Sequence, residues 1–100
     1  MNTEVIDHYL DEQGRVMRWP AKRHRDDRAP LLNYFASKFE AGKIYNEREV
    51  NEVLKQYHTF EDWALLRREL YEQGYLKRNR SGSQYWLVAQ TVDDYIPGGY

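Results

Sequence analysis

Trp63-Ala-Leu-Leu-Arg-Arg-Glu-Leu-Tyr-Glu-Gln-Gly74 leads directly into Tyr75-Leu-Lys-Arg-Asn-Arg80, then Ser81-Gly-Ser83, then Gln84-Tyr-Trp-Leu-Val88. In the first part Trp63, Leu66 and Leu70 recur at helical spacing, and a glycine stops the helix in the way a C′ residue does. The second part is two short runs around a Ser-Gly turn, the pattern of a hairpin, and it is basic. With a two-residue Ser81-Gly82 turn, Leu76 pairs with Leu87 and Arg78 with Tyr85 on one face, and Lys77 with Trp86 on the other. A loop one residue longer changes those faces. A Schellman ending at Gly74 sets Leu70 against Tyr75.

Two helices are expected upstream. From Arg28 to Ala41, Leu32, Phe35, Ala36 and Phe39 form a core-facing stripe; Asp27 is a suitable N-cap, Pro30 is tolerated in the first turn, and Gly42 ends the helix. Lys43-Ile44-Tyr45 is a short extended piece. Asn46 and Glu49 then form a capping box for a helix carrying Val50, Val53, Leu54 and Tyr57, and Glu47, Glu49 and Glu52 suit its positive end. His58–Asp62 makes a turn in which Thr59 and Asp62 are rival N-caps for the third helix. Ahead of all this, Val5, Ile6, Tyr9 and Leu10 are spaced for a short helix with Thr3 as N-cap. Gly14 breaks it, and Arg15–Pro20 is extended because a residue before proline avoids the α region.

One hundred residues suffice for one core, and no cysteine is present. Disulfides and thiolate metal sites are therefore excluded, and a reducing, cytoplasmic setting is the simplest reading. No run is long enough to span a membrane, and the N-terminus lacks a signal-peptide layout. Net charge is −1, but it is unevenly spread. Residues 1–13 carry four acids and no base, residues 14–28 six bases against two acids, residues 40–62 six acids against three bases, and residues 65–88 five bases against two acids. Two basic zones thus flank an acidic one. They form either a basic face or an ordinary mixed surface, depending on how the chain folds.

Helix, short strand, helix, turn, helix, hairpin is the order of a winged helix-turn-helix: an α+β fold of three helices, a short strand after the first, and a C-terminal two-stranded wing. The expected division is an N-terminal extension over 1–21 packing on the body, the winged-helix domain over 22–90 and a tail over 91–100, where Tyr95 and Ile96 can dock. The sequence also resembles a known family. Gly14-Arg-Val-Met-Arg-Trp-Pro-Ala-Lys-Arg23, Tyr34-Phe-Ala-Ser-Lys-Phe-Glu-Ala-Gly-Lys-Ile-Tyr45, Glu47-Arg-Glu-Val-Asn-Glu-Val-Leu54, Leu66-Arg-Arg-Glu-Leu70 and Gly82-Ser-Gln-Tyr-Trp86 carry the resemblance. They are similar to a small bacterial domain family of unassigned function, whose members occur alone or behind the helix-turn-helix of repressors of the arsenical-resistance type. The resemblance covers roughly Gly14 to Leu87 and implies a winged helix and a link to transcription. Pro30 and the Asp26-Asp27 pair depart from the family's pattern.

On a wheel of about 100° steps, Arg67 stands at the edge of the core face and Arg68 on the solvent side with Leu65, Glu69 and Glu72. Arg67 is read either as a phosphate contact or as an arginine whose head is held by a carboxylate such as Asp62 or Glu49. The candidate DNA contacts are Arg68, which can pair with guanine, the wing residues Lys77, Arg78 and Arg80, and Lys22, Arg23 and Arg25 of the densest basic run. The plainer readings are a charged hairpin that protects a sheet edge and a solvated helix entry. His8, His24 and His58 have no metal-ligand spacing, and no phosphate loop or nucleophile elbow occurs, so neither catalysis nor a cofactor is expected. The expected function is a DNA-binding transcriptional regulator that contacts mainly phosphates of double-stranded DNA; a homodimer or a protein partner is also compatible. The alternative is a non-enzymatic winged-helix interaction module, favoured by Leu65, the acidic second helix and the low net charge.

Overall fold

The computed structural model describes residues 6–88. Thr3, Val5 and the tail with Tyr95 and Ile96 lie outside the described residues. The elements follow in order: a 3-10 helix Lys22–Asp27, α1 Arg28–Ala36, α2 Glu47–Lys55, α3 Trp63–Glu72, β1 Leu76–Arg78 and β2 Tyr85–Leu87. This is the winged-helix arrangement, three helices followed by a C-terminal antiparallel pair.

Helix α1 begins at Arg28 as expected, but without the expected side-chain cap, and it ends early. Asp27 is itself in the helical region and makes no side-chain cap, because the 3-10 helix feeds straight into α1. Its carboxylate accepts a hydrogen bond from the Tyr9 hydroxyl at 2.7 Å instead. The helix stops at Ala36, and Phe39 completes the buried stripe from the turn beyond it. Gly42, at φ +82°, belongs to a later turn and is not the helix stop.

The other caps follow the local chemistry. The Asn46 side chain accepts from the Glu49 N–H at 2.8 Å, and the Glu49 carboxylate accepts from the Asn46 N–H at 2.9 Å, a complete capping box for α2. Of the rival caps for α3, Asp62 takes the role, accepting from the Leu65 N–H at 3.2 Å. At the far end Tyr75 N–H donates to the Leu70 carbonyl at 2.8 Å and Gly74 N–H to that of Tyr71 at 3.2 Å. Those two bonds are a Schellman motif, and they require the left-handed φ of +86° that Gly74 supplies without strain.

The wing pairs Leu76 with Leu87, Lys77 with Trp86 and Arg78 with Tyr85, the register expected from the sequence. Its turn is longer than two residues. Asn79 N–H donates to the Gln84 carbonyl at 3.0 Å, leaving four residues at the tip. Lengthening the loop by two residues preserves the facing of every side chain, which is why the register survives the different turn. The piece after α1 reduces to a single bridge in which Tyr45 and Tyr85 exchange backbone hydrogen bonds of 2.8 and 2.7 Å.

The segment before α1 contributes to the same core. Val16 is fully buried, bridging to Leu10 on one side and to His58, in the α2–α3 turn, on the other. Ile6 and Tyr9 join Leu31, Leu32, Phe35, Val50, Leu54, Leu66, Leu70 and Leu76 in one cluster. His58 is the one buried polar side chain among the described residues. Its Nδ1 lies 2.6 Å from the Leu54 carbonyl and its Nε2 accepts from the Asp62 N–H at 3.0 Å, which fixes the Nδ1-protonated tautomer. Phe35 and Phe60 meet its ring edge-on, so the imidazole fills core volume and supplies the turn with two hydrogen bonds. No helix among the described residues is long and apolar enough to cross a membrane.

Candidate nucleic-acid interface

A groove of about 400 Å³ opens between α3 and the wing, and Arg67, Arg68, Tyr71, Glu72, Arg78 and Tyr85 line it. Alternation along β1 puts Arg78 on the same face as buried Leu76, so its side chain leans toward α3 while remaining exposed. Its guanidinium lies 4.6 Å from the centre of the Tyr71 ring. A methyl group added at Gly82, buried and at φ +79°, would come within 3.0 Å of Arg78 Nη1. Arg78 therefore sits between an aromatic ring and the wing backbone. The neighbouring Tyr71 hydroxyl raises its pKa above the ordinary arginine value.

The double arginine of α3 divides as the wheel suggests. Arg67 is half-buried; it donates to the Asn51 side chain at 2.5 Å and stands 3.5 Å from the Glu47 carboxylate. Its holders are thus on α2, and they are not Asp62 or Glu49, whose carboxylates are both spent on caps. Arg68 is exposed and has no ion pair among the described residues. Glu72 is the one carboxylate in the groove wall. Leu65, expected on the solvent side, is half-buried.

Of the other wing residues, Lys77 is exposed on the opposite face, across from Trp86, and Arg80 is exposed at the tip. The tip is organised by Asn79, whose side-chain oxygen accepts from the Ser83 and Gln84 N–H groups at 2.9 and 3.2 Å. Lys22, Arg23 and Arg25 are all exposed on the 3-10 helix, away from the wing groove. Arg25 lines a different groove, with Arg28, Glu69 and Gln73. Glu69 and Gln73 lie roughly half a helical turn from Arg67 and Tyr71, so the two basic zones flank α3 on different sides. The fold brings Arg68 and Arg78 together and leaves the N-terminal basic run apart.

Three contributors to the groove escape a reading of the sequence: Tyr71 as the support of Arg78, Gly82 as the space it occupies, and Asn51 with Glu47 as the anchor of Arg67. The signal for the first is present in the sequence. Once Leu76 is assigned to the core, the period of two sends Arg78 to the same side, toward the helix that has just ended.

Among the described residues no group of three or more His, Asp or Glu side chains is placed to hold a metal ion. No curated protein and no solved structure matches the chain. A family model described as an uncharacterized protein conserved in bacteria (DUF2087) matches residues 15–87, a span running from the extended segment that holds Val16 to the last residue of the wing. The chain belongs to that bacterial family.

Proposed function

We propose that this chain is a cytoplasmic, non-enzymatic DNA-binding domain that acts in transcription regulation and grips phosphates of duplex DNA with its winged helix. The observation that carries this reading is the convergence of Arg68 from α3 and Arg78 from β1 on one groove with a single carboxylate in its wall. Guanidinium forks match phosphate oxygens, and Tyr71 holds one of them in place before any ligand arrives. Lys77 and Arg80 extend the positive surface along the wing, Arg25 adds a second stretch on the other flank of α3, and Lys22 is exposed on the same 3-10 helix. The resemblance to domains carried behind repressors supports the link to transcription. Most of these contacts address phosphate, so the binding is strongly salt-dependent and weakly sequence-selective.

The test is fluorescence anisotropy of a labelled random duplex at low and moderate salt, with wild type and Arg68→Ala/Arg80→Ala. Both residues are exposed, so the double variant keeps the fold. Loss of two phosphate contacts lowers the slope of log affinity against log salt by roughly two. Absence of salt-sensitive binding, or an unchanged slope in the variant, rejects the reading. Tyr71, 40% exposed in the same groove, favours a second reading as a protein-interaction surface, since an accessible tyrosine is a common interface anchor.

A further inference from the structure

Residues 8–27 enclose a second cleft, of about 420 Å³, that shares no lining residue with the wing groove. Its basic groups come from three stretches of chain: His8 from the N-terminal turn, Arg18 from the extended segment, and Arg23 and His24 from the 3-10 helix. All four are exposed, and none has a carboxylate within ion-pair distance among the described residues. The one acid in the wall, Asp27, has an oxygen committed to the Tyr9 hydroxyl.

Both aromatic rings of the cleft carry a basic group. Arg18 lies 4.6 Å from the centre of the Tyr9 ring and the His8 ring 4.5 Å from it. Arg28 lies over Trp19 at 5.4 Å. The exposed groups of the cleft are thus mainly N–H donors, which suit an oxyanion. Arg18 and Arg23 bring two positive charges to a wall that holds one carboxylate, and a bound anion offsets the excess.

We propose that this cleft binds a phosphate group, with Arg18 and Arg23 as the charged clamps and His8 and His24 as hydrogen-bond donors. A free phosphorylated molecule and a nucleic-acid backbone present the same chemistry. The experiment is proton NMR of the three histidine C2–H signals during titration with inorganic phosphate, ionic strength held constant with chloride. His58 is the internal reference, because it is buried with both ring nitrogens bonded inside the fold. The expected result is a saturable shift of the His8 and His24 signals, with a dissociation constant on the order of 1 mM, and a stationary His58. Arg23→Gln, an exposed change that leaves the fold intact, weakens the shift about tenfold through the loss of one charge-assisted hydrogen bond. Signals that do not saturate, or that saturate equally in Arg23→Gln, overturn the proposal. A second arm replaces phosphate with a short duplex. Movement of His8 and His24 assigns the site to the nucleic-acid backbone, and their silence, after a positive phosphate arm, assigns it to a free phosphorylated ligand. The phosphate arm contains no DNA, so its outcome is independent of the DNA-binding reading.

Discussion

The guanidinium of Arg78 rests 4.6 Å from the centre of the Tyr71 ring, which joins the wing to the helix it accompanies. Tyr71→Leu keeps an apolar side chain of helical preference but removes the face on which the cation sits. The expected outcome is a wing tip that gains motion while the helices do not. Backbone NMR order parameters for residues 79–83 should fall in Tyr71→Leu and stay unchanged across α2. Equal order parameters in both proteins would show that the ring does not hold the wing.

Gly82 is expected to be intolerant of any side chain. It combines φ of +79° with 3.0 Å of space between an added Cβ and Arg78 Nη1. The left-handed conformation alone costs an alanine about 1 kcal/mol. Gly82→Ala should therefore lower the unfolding free energy by at least that amount, seen as a lower urea midpoint at an unchanged m-value. A midpoint equal to wild type sinks the account of Gly82 given above.

His58 is expected to behave as a structural residue. Its two ring nitrogens serve the Leu54 carbonyl and the Asp62 N–H, at the end of one helix and the cap of the next. His58→Ala removes both partners and leaves a cavity beside Phe35 and Phe60, a loss of about 2–4 kcal/mol. Denaturant unfolding measures it directly. A loss below about 1 kcal/mol would mean that the turn does not depend on the imidazole.

Tyr9 carries a pH dependence whose sign follows from its surroundings. Burial first, and the hydrogen bond to Asp27 second, raise its pKa above 10.0. A raised folded value means that the contribution to stability is complete below the unfolded pKa and is lost as pH climbs through the folded one. Tyr75 shifts in the same direction, through burial alone. Stability above pH 10 should fall more steeply in wild type than in Tyr9→Phe. The Tyr9→Phe/Tyr75→Phe protein should be the flattest of the three. Parallel curves for wild type and Tyr9→Phe would contradict the burial of that hydroxyl.

Where the sequence proved legible, the determinant was local. Asn46 and Glu49 cap α2 within three residues of each other, and Gly74 closes α3 with bonds to Leu70 and Tyr71. The wing register also followed from alternation, because a turn lengthened by two residues keeps the pleat in phase. What escaped depends on partners far along the chain. Asp27 has the composition of an N-cap, yet Tyr9, eighteen residues earlier, takes its oxygen. Arg67 finds Asn51 and Glu47 on another helix, while the acids nearer in sequence are occupied as caps. His58 resembled a turn residue because nothing beside it in the sequence announces Phe35 or Val16. For the candidate site, the residue types were visible but their grouping was not. Whether Lys77, Arg78 and Arg80 act together depends on which way each strand residue faces.

The wing is fastened where its strands meet the loop and closed on itself at its tip. Tyr85 is bonded on both sides, to β1 and to Tyr45, while the Asn79 side chain ties together the four residues at the far end. Arg78, paired with Tyr85 and laid over Tyr71, thus stands at the anchored part of the wing, and Arg80 lies beyond it at the tip.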